Sequence, residues 1–152
     1  MRAHDLAEPY PTVSTDDDAV DAARLFVERK LPALLVLDRD QRPYAIVPGS
    51  QLLRVAVPDF VLDEPSLAVK AGDTDLEMLT EQLSGMTVAQ WLPPRRILPT
   101  VVGPGASAME IAALMVRTHT PLVAVVESDG RGTRTTGAIT AARLMEHLLT
   151  PR

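Results

Sequence analysis

The residues able to do chemistry in this chain are scattered rather than grouped. His4, His119 and His147 lie far apart, and none stands in an HExxH or other paired-imidazole spacing that would grip a zinc ion. There is no cysteine, which removes thiolate nucleophiles, cysteine metal sites and disulfides together. No serine sits in a GxSxG elbow, so no activated nucleophile has local support. The dense carboxylate stretch is Ser14, Thr15, Asp16, Asp17, Asp18. It lacks EF-hand spacing and reads as a helix start, where side-chain oxygens accept from free amides and negative charge faces the helix dipole. Ser128 to Thr136, SDGRGTRTT, holds two glycines but is neither a Walker loop nor a dinucleotide fingerprint; it reads as a polar hairpin loop.

Composition narrows the classes further. A chain of 152 residues suffices for one ordinary core or two small units sharing one, burying about two-thirds of the surface the unfolded chain exposes. Aromatic residues are only 3% of the chain against 46% apolar overall, so the core must be built from Leu, Val, Ala and Met. The formal charge is −5, and thirteen arginines and two lysines form no long basic run, which disfavours nucleic acid as a partner. A local basic pocket for a small phosphorylated ligand is untouched by that net charge. No apolar run approaches the length of a membrane span and residues 1–8 lack a signal-peptide core, so the expected location is cytoplasmic.

What would position a site is a duplicated element. Residues 108–127, AMEIAALMVRTHTPLVAVVE, run as an apolar-striped helix through a Thr-Pro step into a hydrophobic strand. Residues 19–38, AVDAARLFVERKLPALLVLD, have the same grammar at a constant offset of 89 residues: Ala23 matches Ala112, Phe26 matches Met115, Pro32 matches Pro121 and Val36 matches Val125. Each proline falls where the first residue of a strand can lack an N–H.

Around the first copy, Thr12 and Val13 begin an extended lead-in, strands are expected over 33–37 and 44–47, and Pro48, Gly49 and Ser50 switch the chain into a helix packed by Leu52, Leu53, Val55 and Ala56 and ended by Pro58. Around the second, Thr100 and Val101 mirror the opening. A strand over 122–126 and another at 137–139 follow, with Thr140 capping a last helix whose buried side would be Leu144, Met145, Leu148 and Leu149, before Pro151. Between them, Leu76, Leu79 and Leu83 fall at helical spacing, Thr74 and Glu77 fit a capping box, and Gly85 fits a stop. Phe60, Val61 and Leu62 read as core contacts ahead of the alternative, an exchangeable recognition arm, and Trp91, before Pro93 and Pro94, as an anchor at the seam ahead of a lone stacking platform for a ligand.

GAITAARLM, residues 137–145, together with the 108–127 element, resembles the second half of a CBS-domain pair, or Bateman module; AIVPGSQLL, residues 45–53, with residues 13–38, resembles the first. The resemblance covers roughly residues 3–150. It implies an α+β fold of two β-α-β-β-α repeats related by pseudo-twofold symmetry, with a first domain over 1–58, a helical segment over 59–86 packed on the module and a second domain over 87–152. It implies a regulator and not an enzyme. Members of the family commonly form homodimeric four-domain disks, bind AMP, ADP, ATP or related nucleotides in inter-domain clefts, and report occupancy to an enzyme, channel or transporter; some stand alone. The same fold without a ligand, serving as a dimerisation or docking module, is the alternative.

The resemblance places two clefts. The first combines Thr12 and Val13 with Pro32, Ala33 and Leu34 and with Pro48 and Gln51; the second combines Thr100 and Val101 with Pro121, Leu122 and Val123 and with Thr140 and Arg143. In the family a Ser or Thr at the strand-to-helix turn and an Asp three residues later often contact ribose and phosphate. Here Thr140 keeps the hydroxyl, but Arg143 replaces the acid, and Pro48 and Gln51 change both positions of the first repeat. An arginine cannot accept from ribose hydroxyls, although it can pair with phosphate or with a dimer partner. The second cleft carries the better polar equipment.

Overall fold

A computed structural model of the chain describes residues 1–93 and 98–150. A short helix α1 (Ala3–Leu6) leads into β1 (Thr12–Ser14), α2 (Ala19–Glu28), β2 (Ala33–Leu37), β3 (Pro43–Pro48) and α3 (Gly49–Leu52). After a 3-10 turn at Arg54–Ala56 come α4 (Asp59–Asp63), α5 (Ala68–Ala71), α6 (Thr74–Glu77), α7 (Leu79–Leu83) and α8 (Val88–Trp91). The second repeat is β4 (Val101–Val102), α9 (Ala108–Thr118), β5 (Leu122–Asp129), β6 (Gly132–Thr140) and α10 (Ala141–Leu149). The expected features at Pro94 and Pro151 lie outside the described residues.

The repeats build two three-stranded sheets of the same topology, β1-β2-β3 and β4-β5-β6, each with a parallel first pair and an antiparallel second pair. Local chemistry repeats with them. Asp18 accepts from the Asp21 amide to start α2, and Ser107 and Glu110 form a reciprocal capping box on α9, with bonds of 3.1 and 2.7 Å. Lys30 and His119, 89 residues apart, are both left-handed, with φ of 51° and 54°, and turn each chain toward its proline-led strand.

Three apolar clusters hold the fold. Leu34, Val36, Ala45 and Val47 pack beneath α2 with Leu83, Val88 and Trp91; Val123, Val125 and Ile139 pack beneath α9 and α10 with Ala3 and Leu6; Ala33, Leu35, Leu37 and Ile46 meet Leu122, Ala124 and Ala138 where the sheets face each other. The lead-ins therefore cross over. Helix α1 lies in the core of the second repeat, fixed by Ala3 N–H to Ala106 O (2.8 Å) and by a two-bond pairing of Glu8 with Ala138 (3.0 Å each). Helix α8 lies in the core of the first, where Trp91 Nε1–H donates to Leu52 O and Ala89 N–H to Thr15 O.

Several expectations need correction. The SDGRGTRTT stretch is not a loop: β5 and β6 run on through it, pairing Glu127 with Arg134 and Asp129 with Gly132, because its Thr and Arg residues suit an exposed antiparallel ribbon. On α10 only Leu144 is buried, while Met145, Leu148 and Leu149 face outward. Leu53, Val55, Phe60 and Leu62 are likewise exposed, since the segment after β3 breaks into single turns that present little continuous face. The helix expected across Leu76 to Leu83 is broken at Met78, and Thr74 forms no cap; Asp73 holds that place without a side-chain bond.

Candidate functional site

Each strand-to-helix switch brings part of its expected set together through backbone bonds, Pro32, Ala33 and Pro48 in the first and Pro121, Leu122 and Thr140 in the second. In the first repeat Ala33 is paired with Pro48, and Gly49 N–H donates to Pro32 O at 3.3 Å. A Cβ at Gly49 would lie 2.8 Å from the tip of the Phe26 ring, so the glycine lets that ring pack over the turn. In the second, Leu122 is paired with Thr140, and Ala141 N–H donates to Pro121 O at 2.9 Å. Val13, Ala33, Leu34, Leu122 and Val123 are buried and supply packing, while Thr12, Gln51 and Val101 are exposed. Thr12 and Val101 reach the switches only along their strands, opposite Leu35 and Ala124.

The polar groups of the second switch are already engaged within the chain. Thr100, buried, donates its hydroxyl to Leu122 O at 2.6 Å. Thr140 Oγ1 accepts from Arg143 N–H at 3.0 Å and starts α10. The Arg143 guanidinium turns to the N-terminal arm: Nε meets Leu6 O at 3.4 Å and Glu8 Oε1 at 3.3 Å, and Nη1 lies 3.9 Å from Glu146. The arm is thus held by backbone pairing, apolar burial and a cation at once.

The first switch is served by a residue the sequence did not single out. Tyr10 donates its hydroxyl to Ala33 O at 2.6 Å, and Ala33 is the counterpart of Leu122. Burial pushes the Tyr10 phenol up to about 12. A signal for it existed: a hydroxyl residue stands beside a proline just before each repeat, as Tyr10-Pro11 and Pro99-Thr100. Tyr10, Thr12, Leu35, Leu37 and Gln41 from the first repeat and Thr135, Thr136 and Gly137 from the second line a cleft of about 280 Å³ at the seam, spanned by a bond from Thr135 Oγ1 to Gln41 O at 3.3 Å. A wider concavity of about 500 Å³ lies beside Arg54, Asp59, Gln90 and Trp91. Among the described residues no group of three His, Asp or Glu side chains could hold a metal ion, and no helix is long and apolar enough to cross a membrane.

The family model described as CBS domain matches twice, over residues 3–57 and 97–150. The chain belongs to the CBS domain family. It carries a tandem CBS pair, the two matches falling on the two sheets and their helices. No curated protein matches. Among solved structures, a CBS domain-containing protein of unknown function from Kribbella flavida is similar at 37% identity, with 99% of each chain covered and a TM-score of 0.81. The CBS-pair protein CBSX2 from Arabidopsis thaliana shares the fold at 22% identity, covering 97% of this chain and 94% of that one, with a TM-score of 0.72. CBSX2 in complex with AMP matches at 23% identity over 97% and 96% of the two chains, with a TM-score of 0.65.

Proposed function

We propose that this CBS pair is a regulatory module that works as two paired copies and senses an adenine nucleotide in a cleft beside the first repeat. The observation that carries this is the contrast between the second switch and the cleft at the seam. Thr100 and Arg143 are committed to Leu122, Leu6 and Glu8, whereas exposed Thr12 lines an inter-repeat cleft with Thr135 and Thr136, whose hydroxyls donate to Gln41 O and Val125 O and keep lone pairs able to accept from a ligand. The cleft offers an aromatic ring at Tyr10, apolar walls at Leu35 and Leu37 and hydroxyls at three threonines, a set suited to a base and a ribose. The AMP held by the CBSX2 relative supplies the ligand class. Occupancy would act by differential binding to two arrangements of the pair, since a ligand bound equally by both shifts neither.

The engagement of Arg143 by the arm favours a second reading, a ligand-free module that docks on a partner protein. Calorimetry with AMP, ADP, ATP, cyclic dinucleotides and S-adenosylmethionine separates the two. Saturable heat with one of them, weakened by Thr12→Val or Thr136→Val and unchanged by Arg143→Ala, is the expected result. Folded protein that gives no heat across the panel overturns the sensor and leaves the docking module.

A further inference from the structure

The stretch between the two CBS matches, which end at residue 57 and resume at 97, holds secondary structure that the chain itself does not bury. Helix α4, a 3-10 turn at Pro65–Leu67, α5 and α6 follow one another, and none of them has a buried residue. Single helical turns are marginal alone and persist through what they pack against. Here α4 and α5 lean on the Pro65–Leu67 turn and α6 on α7, but the outside is left open. Phe60, Leu62, Val69, Leu76 and Met78 are all exposed, Val69 to 90%. A solvated tether has no use for large apolar side chains, and their concentration in one stretch marks a surface that something covers. Gln82 of α7, whose Nε2–H donates to Asp75 O, leaves its Oε1 buried and without a hydrogen bond. The packing of the stretch is therefore unfinished within the chain.

Charge decides what finishes it. Seven carboxylates stand over residues 59–81 against one cation, Lys70, a net charge of −6 where the whole chain has −5. All seven are exposed, and among the described residues none of them forms an ion pair. Asp59 and Asp63, four apart on α4, repel each other across one turn. A second copy of the stretch would bring the same charge against itself, and nucleic acid or an anionic lipid surface would be repelled, whereas a cationic polypeptide is drawn in. At one end lies the concavity of about 500 Å³ beside Trp91, walled by Val55, Val57, Pro58 and Leu92, with Arg54 and Asp59 also lining it. It has room for an apolar anchor side chain, the kind of contact that carries most of the energy of a docked segment.

We propose that residues 59–81 are a docking surface for a basic, amphipathic segment of a partner protein, whose apolar side chains cover Phe60, Leu62, Leu76 and Met78 and whose Lys and Arg side chains neutralise the carboxylates among them. Docking steadies the single turns that the chain alone leaves open. This rests on the reading of the chain as a regulator that acts on a partner, and it names the partner's chemistry. The surface is separate from the nucleotide cleft, none of whose lining residues comes from this stretch.

Fluorescence anisotropy on the full chain without nucleotide tests it, using labelled peptides of about 15 residues. One has Lys and Leu at helical spacing, one has every Leu replaced by Ser, and one has every Lys replaced by Glu. The Lys/Leu peptide should bind saturably and weaken with salt, the Lys/Ser peptide should bind about tenfold less tightly or worse, and the Glu/Leu peptide should not bind. Asp73→Lys with Asp75→Lys should weaken the Lys/Leu peptide by about tenfold; neither side chain is engaged within the chain, so the fold is not at stake. Phe60→Ser with Leu62→Ser, which alters exposed positions only, should weaken it as far. Glu127→Lys with Asp129→Lys, the same charge change on the β5–β6 ribbon, should shift it by less than about twofold at physiological salt. Hydrogen exchange over residues 59–83 should slow when the peptide binds. A Lys/Leu peptide that does not bind, or binds no better than Lys/Ser, overturns the proposal, as does a ribbon variant that loses as much as the Asp73 and Asp75 variant. A failed nucleotide panel leaves this surface standing, and failure here leaves the nucleotide cleft standing.

Discussion

Replacing Gly137 by alanine tests whether the N-terminal arm is a fixed part of the second repeat. A Cβ at Gly137 would lie 2.8 Å from the Glu8 carbonyl oxygen and 3.4 Å from Ala7 Cβ. Relief to ordinary contact needs the arm to retreat by about 0.6 Å, and the obstacle is backbone, clamped by both Glu8–Ala138 hydrogen bonds and anchored by the fully buried Ala3 and Leu6. Overpacking of this kind costs about 1–3 kcal/mol, and loss of glycine freedom in the unfolded chain returns roughly 0.4–1 kcal/mol. The expected net is about 1–2 kcal/mol, or a Tm lower by roughly 2–8 °C for a chain of this size. Gly49→Ala is the control. Its Cβ would meet the Phe26 ring at the same 2.8 Å, but that neighbour is the tip of a half-buried side chain that can tilt, so a loss under about 1 kcal/mol is expected. Urea unfolding measures both, and hydrogen exchange at the Glu8 and Ala138 amides reports the arm directly. Equal losses at the two glycines, or no change in exchange with Gly137→Ala, would refute the account.

Two more perturbations separate the parts of the fold. Leu6→Ala removes a side chain with no exposure from the second repeat's core and should cost about 2–5 kcal/mol; exchange should rise in α9 and β6 before β2, and the reverse order would contradict the crossover. Tyr10→Phe deletes the 2.6 Å bond to Ala33 O and should cost about 1 kcal/mol at neutral pH. Because burial raises the Tyr10 pKa from 10.0 to about 12, the folded chain holds that proton after the unfolded chain releases it, so the contribution is complete below pH 10 and is lost as pH rises to 12. Urea midpoints across that window should fall more steeply for the wild type than for Tyr10→Phe, and parallel curves would sink the assignment.

The duplicated helix and strand were legible because both patterns are set locally. Apolar residues at helical spacing, prolines at strand entries and continuous runs such as Ala33–Leu37 specify α2, α9, β2 and β5 in outline, and the offset of 89 residues ties them together. The β6 extension was hidden, because Thr133 to Thr136 alternates polar residues that a strand and a loop use equally. The outward side of α10 was unreadable for another reason: Met145, Leu148 and Leu149 carry a core-like stripe, and helical spacing alone does not say whether such a stripe turns inward or outward. At the switches, the pairing of Ala33 with Pro48 and of Leu122 with Thr140 was legible, but not what satisfies their polar groups. Arg143 bonds across 137 positions to Leu6, and Tyr10 across 23 to Ala33, distances over which sequence spacing carries no information.

The crossed lead-ins change what counts as a unit of this molecule. In space, residues 1–8 belong with the second repeat and α7 and α8 with the first, so no single cut in the chain separates two finished halves. Each half, taken as a continuous segment, would leave one hydrophobic floor uncovered and carry a stray helix with nowhere to dock. A reciprocal clasp of this kind makes the duplication irreversible: melting either repeat releases the lid of the other, and two small cores too lean to persist alone acquire one shared cooperative transition.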